Sequence, residues 1–106
     1  MAKYLIEAAY TVEGLHGLLQ DGGSKRQAAL DKAIQNLGGT MESFYYVFGE
    51  DDVILVADLA DNTAAAALSL AISAAGAATA TVRVLLTPAE IDAATKKTVD
   101  YTAPGG

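Results

Sequence analysis

From Asn62 through Val82 the chain carries no ionisable side chain. A charge-free stretch of that length belongs either in a membrane or inside a folded domain. A membrane span fits poorly, because the segment is richer in alanine, serine and threonine than in leucine, is interrupted by Gly76, and changes from helical to alternating pattern midway. It reads instead as a buried helix over 62–75 followed by a buried strand over 79–86. Asp61 supplies the helix cap and Gly76 a left-handed stop. Ala65, Leu68, Ile72 and Ala75 form the stripe facing a sheet. Leu70 falls on the opposite face, where only Ser69 and Ser73 are polar, and this suggests cover by another subunit.

The rest of the chain supplies that sheet. Residues 3–10 alternate Tyr4, Ile6, Ala8 and Tyr10 against Lys3, Leu5, Glu7 and Ala9, the period of a strand. Thr11 caps a short helix with Val12, Leu15, Leu18 and Leu19 at helical spacing, stopped by Asp21-Gly22-Gly23. Ser24 is expected to cap a second helix whose stripe is Leu30, Ala33, Ile34 and Leu37, ended by Gly38-Gly39. Strands follow over 40–48 and 53–59, joined by the hairpin Gly49-Glu50-Asp51-Asp52. Thr87-Pro88-Ala89-Glu90 is a capping box with proline at the first helical position. The order is βαββαβ, which predicts an α+β, ferredoxin-like antiparallel sheet with its helices on one face. One domain over residues 1–97 is expected, with 98–106 as a flexible tail.

In such a fold the second sheet face is either wet or covered. Leu5, Ala9, Tyr45, Val47, Ile54, Val56 and Leu85 fall on it and are too apolar for water. With 52% hydrophobic and 19% charged residues, the chain is also poor in the charge that coats a free monomer. Both features predict a homodimer or higher homo-oligomer formed sheet to sheet. Glu7 and Arg83 lie on neighbouring strands of that face and are expected to pair across them, making Glu7, Arg83, Tyr45 and Leu70 the interface candidates. A net charge of −6 repels phosphate backbones and anionic lipid, so neither nucleic acid nor a membrane is an expected partner. The absence of cysteine excludes disulfides and thiolate chemistry, and together with an N-terminus lacking a signal-peptide core it predicts a cytoplasmic location.

Three local groups carry chemistry. Gly22-Gly23-Ser24-Lys25-Arg26 joins backbone amides, a hydroxyl and two cations at a helix start, a candidate ligand site for an anion, although it lacks the P-loop pattern. Tyr10, His16 and Asp52 are the candidates for proton transfer. Glu50-Asp51-Asp52 offers carboxylates to a hard cation but has no calcium-loop spacing, so no metal site is assigned. No motif implies a cofactor.

Together Tyr4-Leu5-Ile6, Tyr10-Thr11-Val12-Glu13-Gly14-Leu15, Gly22-Gly23-Ser24-Lys25-Arg26, Gly38-Gly39, Phe44-Tyr45, Phe48-Gly49, Asp61-Asn62 and Leu86-Thr87-Pro88-Ala89-Glu90 resemble the GYD domain family, from Tyr4 to about Ala94. In the family's Gly-Tyr-Asp hairpin signature, Gly49 and Asp52 match and Asp51 stands at the tyrosine position. The resemblance implies a ferredoxin-like domain of the dimeric α+β barrel type and carries no established activity. The leading expectation is an oligomeric domain of uncharacterised function that binds a small anionic or aromatic metabolite near Gly22–Arg26 and Tyr10. The alternatives are a cofactor-independent isomerase or monooxygenase with a cavity between sheet and helices, and a structural assembly module.

Overall fold

The alternation at the N-terminus becomes β1 (Ala2–Tyr10), with Tyr4, Ile6 and Ala8 buried and the residues between them partly exposed. The structure, a computed structural model, describes residues Met1–Gly106. After β1 come α1 (Val12–Asp21), α2 (Gly23–Asn36), β2 (Thr40–Tyr46), β3 (Val53–Leu59), α3 (Asn62–Ala74), β4 (Ala78–Leu85) and α4 (Pro88–Thr95). The strands form one antiparallel sheet in the order β2-β3-β1-β4. This is the split βαβ arrangement, in which each helical crossover passes over an intervening strand. The expected α+β, ferredoxin-like architecture is therefore present.

The core lies between the sheet and α1–α3. Tyr4, Ile6, Leu55, Ala57 and Leu59 from the two central strands are sealed against Ile34 of α2 and Ala65 and Leu68 of α3. The Tyr4 hydroxyl, carried into this apolar layer, donates to Asn62 Oδ1 at 2.7 Å, so the buried group keeps a partner. A bulge between Met41 and Ser43 inserts Glu42 into β2. The extra residue lets both Met41 and Phe44, three apart, turn to the core.

Several expected boundaries shift. β2 ends at Tyr46 rather than residue 48, and β4 spans 78–85 rather than 79–86. Ser24 does not cap α2: Gly22, at φ +83°, is the N-cap and no side chain caps the helix. One glycine in a left-handed turn suffices to break α1 from α2, which puts Ser24 inside the first turn. Ala75 also departs from its expected place, being exposed just past the end of α3 instead of facing the sheet.

α4 stands apart from this body. Every residue from Leu86 to Gly106 is exposed, although the helix begins with the full reciprocal capping box between Thr87 and Glu90. The radius of gyration is 17.0 Å, against about 13 Å for a compact chain of this length. The long dimension of 57 Å, beside 33 and 23 Å, reflects that projecting arm.

Candidate functional site

Small side chains create a cavity between α2 and α3. Both helices pack on one face of the sheet, with the cavity between them. Where they face each other, Ala29 and Ala33 of α2 look across to Ala71 of α3 and Ala75 beyond it. The pairs are spaced i, i+4, so each presents a smooth stripe along one side of the gap. The resulting cavity is about 260 Å³, floored by Ala8, Phe44, Val53 and Ala78, with Leu30, Leu68 and Ile72 closing its sides. Tyr10, Ala77 and Arg26 complete the lining, and Arg26 is its one charged residue.

The polar end of the cavity is built at the start of α2. Arg26 Nη1 lies 3.8 Å from Asp21 Oδ2, and Lys25 Nζ lies 3.6 Å from Asp21 Oδ1. Both cations are therefore loosely held by one carboxylate, and both stay in contact with solvent. Tyr46 crosses the same turn and donates its hydroxyl to the Gly23 carbonyl at 3.0 Å. Gly23 permits that approach, since a β-carbon there would come within 3.0 Å of the Tyr46 ring. The ring is also braced edge to face by Phe44, with centroids 5.1 Å apart. Burial, followed by the neighbouring Tyr10 hydroxyl, raises the Tyr46 phenol above its ordinary range, with Arg26 acting in the opposite direction. Tyr46 thus stands as a neutral hydroxyl beside the guanidinium. It also lines a second, shallower groove of about 360 Å³ with Leu15, Leu18, Val47, Phe48 and Asp52.

The structure brings the candidate residues together only in part. Tyr10 and Arg26 share the main cavity, whereas Asp52 lines the second groove. Asp52 Oδ2 accepts the backbone N–H of Tyr10 at 2.8 Å, and its own N–H donates to Ala8 O at 2.9 Å. Its carboxylate thus closes the end of β1. His16 is exposed and lines neither space. Tyr10, His16 and Asp52 therefore form no common proton-transfer geometry. Gly22 serves the turn, Ser24 is exposed, and Lys25 extends into solvent. No group of three or more His, Asp or Glu side chains gathers to hold a metal.

On the far side of the sheet the expected cross-strand pair is present, with Arg83 Nη1 3.0 Å from Glu7 Oε1. The distance is that of an ion pair, but the oxygen receives no aligned hydrogen bond. At the other end of β1, Lys3 Nζ donates to Glu42 Oε2 at 2.8 Å and to Asp58 Oδ1 at 3.0 Å. These bonds, to Glu42 first and then Asp58, raise the Lys3 ammonium above its ordinary range. Tyr45 and Leu70 are 67% and 71% exposed in the single chain.

Tyr46, beside the start of α2, and the cavity alanines Ala29 and Ala71 went unremarked in the sequence, while Ala33 and Ala75 read there as members of core-facing stripes. The signal for the cavity is the i, i+4 alanine pair repeated on two successive helices. The residues that carry the family resemblance perform largely mechanical tasks: Thr11 caps α1, Gly22 and Gly38 take positive φ, and Thr87 and Glu90 cap α4. Nothing matches the chain among curated proteins, and nothing matches among solved structures. Residues 4–95, nearly all of the folded chain, match the GYD domain, and the protein belongs to that family.

Proposed function

We propose that this GYD domain is a self-associating binding domain for a small amphipathic anion, an aromatic or short aliphatic carboxylate. One observation carries the reading: an alanine-lined, apolar cavity has a single charged residue, Arg26, in its lining. Its volume of about 260 Å³ falls just under the roughly 300–1,000 Å³ of most ligand sites, which restricts the occupant to a small body. The apolar part fills the gap between α2 and α3. The carboxylate replaces the long 3.8 Å contact of Arg26 with Asp21 by a closer, charge-assisted bond. Lys25 adds field from the rim, and the Tyr10 hydroxyl orients the head group. No catalytic role is assigned to Tyr10, His16 or Asp52, and no cofactor is invoked.

Self-association is supported by the outer sheet face, where Leu5, Ile54, Val56 and Tyr45 lie without a covering layer. A cysteine-free, acidic chain with no helix long and apolar enough to cross a membrane agrees with residence in the cytoplasm.

The test is thermal unfolding with a panel of aromatic and medium-chain carboxylates, each paired with its uncharged amide. Expected is a rise in Tm for carboxylates alone, lost in Arg26→Ala and in Lys25→Ala/Arg26→Ala while the unliganded Tm stays within a few degrees. Equal stabilisation by the amides, or an undiminished shift in Arg26→Ala, would refute the site.

A further inference from the structure

We infer that the C-terminal arm, from Leu86 through α4 to Tyr101, packs on a second copy of this chain, along the β2 edge of its sheet. The inference rests on the sheet-to-sheet association proposed above and adds to it the element that completes the interface.

The arm has the properties of a docking element without a dock. α4 is eight residues long, and isolated helices shorter than about 12 residues are marginal in water. Helices of this length depend on tertiary packing, yet α4 has no buried residue. Leu86, Ile91, Val99 and Tyr101 are 58%, 46%, 77% and 73% exposed. The family match extends to residue 95, so the helix belongs to the domain and is no appendage. An element of the domain with no buried residue in its own chain leaves apolar surface for another chain to cover.

Area and topology identify that chain and the place. Four strands about 4.8 Å apart and about eight residues long cover roughly 500 Å² in plan, a small footprint beside interfaces that bury roughly 800 Å² of accessible surface on each partner. The arm adds apolar surface to such a sheet-to-sheet contact. β4 and β2 are the opposite edges of the sheet. A two-fold axis running along the strands lays each β4 over the partner's β2, so the arm leaving Leu85 emerges beside that edge. There it meets unpaired backbone groups, which single edge strands leave open, and the exposed Tyr45 ring.

The experiment is sedimentation and thermal unfolding of the full chain across a concentration series, comparing wild type with Ile91→Asp/Val99→Asp. Hydrogen exchange at the β2 amides is followed in both proteins. Because Ile91 and Val99 are exposed in the single chain, the variant is expected to leave an isolated monomer folded. Expected is an association at least tenfold weaker, a Tm loss confined to concentrations at which wild type is associated, and faster exchange along β2. Unchanged association would overturn the arm's role and leave the sheet-to-sheet reading intact. A Tm loss independent of concentration would show the arm folded on its own chain and would also overturn it. Weakened association with β2 exchange unaltered would refute the placement, and a monomeric wild type would refute both readings.

Discussion

A β-carbon on Gly14 would collide with the carbonyl oxygen of Ala77 and come within 2.9 Å of the Tyr10 ring. The crowding has a cause one turn earlier. Thr11 accepts the Gly14 N–H at 3.1 Å, donates its hydroxyl to Gly76 O at 2.8 Å, and donates its own N–H to Ala77 O at 2.9 Å. One threonine thus caps α1 and fastens it to the loop between α3 and β4, drawing the helix too close for any side chain at Gly14. Gly14→Ala is expected to destabilise the fold by about 1–3 kcal/mol, measured by urea unfolding. A loss under half that would mean the two segments separate freely. The cap at Thr11 was legible in the sequence, because it depends on neighbours along the chain. The requirement for glycine at 14 was not, because it is set by a carbonyl more than sixty residues away. Arg26 is a similar case. Its charge and its place in a helix start are sequence facts, but its cavity arises from alanines on another helix.

Helices and strands were read from local period, and every element found was anticipated in kind. Errors fell where one residue changes the geometry: Gly22 displaced the expected cap at Ser24, and the Glu42 bulge is invisible to a strict two-residue alternation. The element with most at stake in its own local chemistry is α4. Hydrogen bonds from the Thr87 backbone, then its side chain, hold the Glu90 carboxyl below its ordinary range. A carboxyl lowered in the folded state adds stability above its unfolded value, near pH 4.5, and loses it as pH falls through the folded value. α4 is therefore expected to fray as pH drops below about 4.5 while the sheet persists. The measurement is acid titration of the Thr87 and Glu90 amide resonances. Glu90→Gln, which keeps the capping bond without the charge, should remove the pH dependence. An identical acid midpoint in that variant would assign the fraying elsewhere.

For the molecule as a whole, one face of the sheet is sealed by three helices and the other is bare. The bare face carries Leu5 and Val56 between the Lys3 cluster and Glu7, with Ile54 opposite Glu7. Replacing a central member by a charge, Leu5→Glu, is expected to abolish the proposed sheet-to-sheet association in sedimentation while preserving the far-ultraviolet dichroism, since the side chain is only partly buried in the single chain. Association as tight as in wild type would place the interface on another surface, with Leu70 the next to vary. The topology has a further consequence for how the chain comes into being. β1 is synthesised before the other three strands of its sheet, yet it takes both its neighbours, β3 and β4, from the second half of the sequence. At roughly 5–20 residues per second, a nascent β1 waits several seconds with both edges unpaired and Tyr4 and Ile6 uncovered. The sheet therefore cannot assemble in the order of its translation, because β1 is complete long before either strand that pairs with it exists.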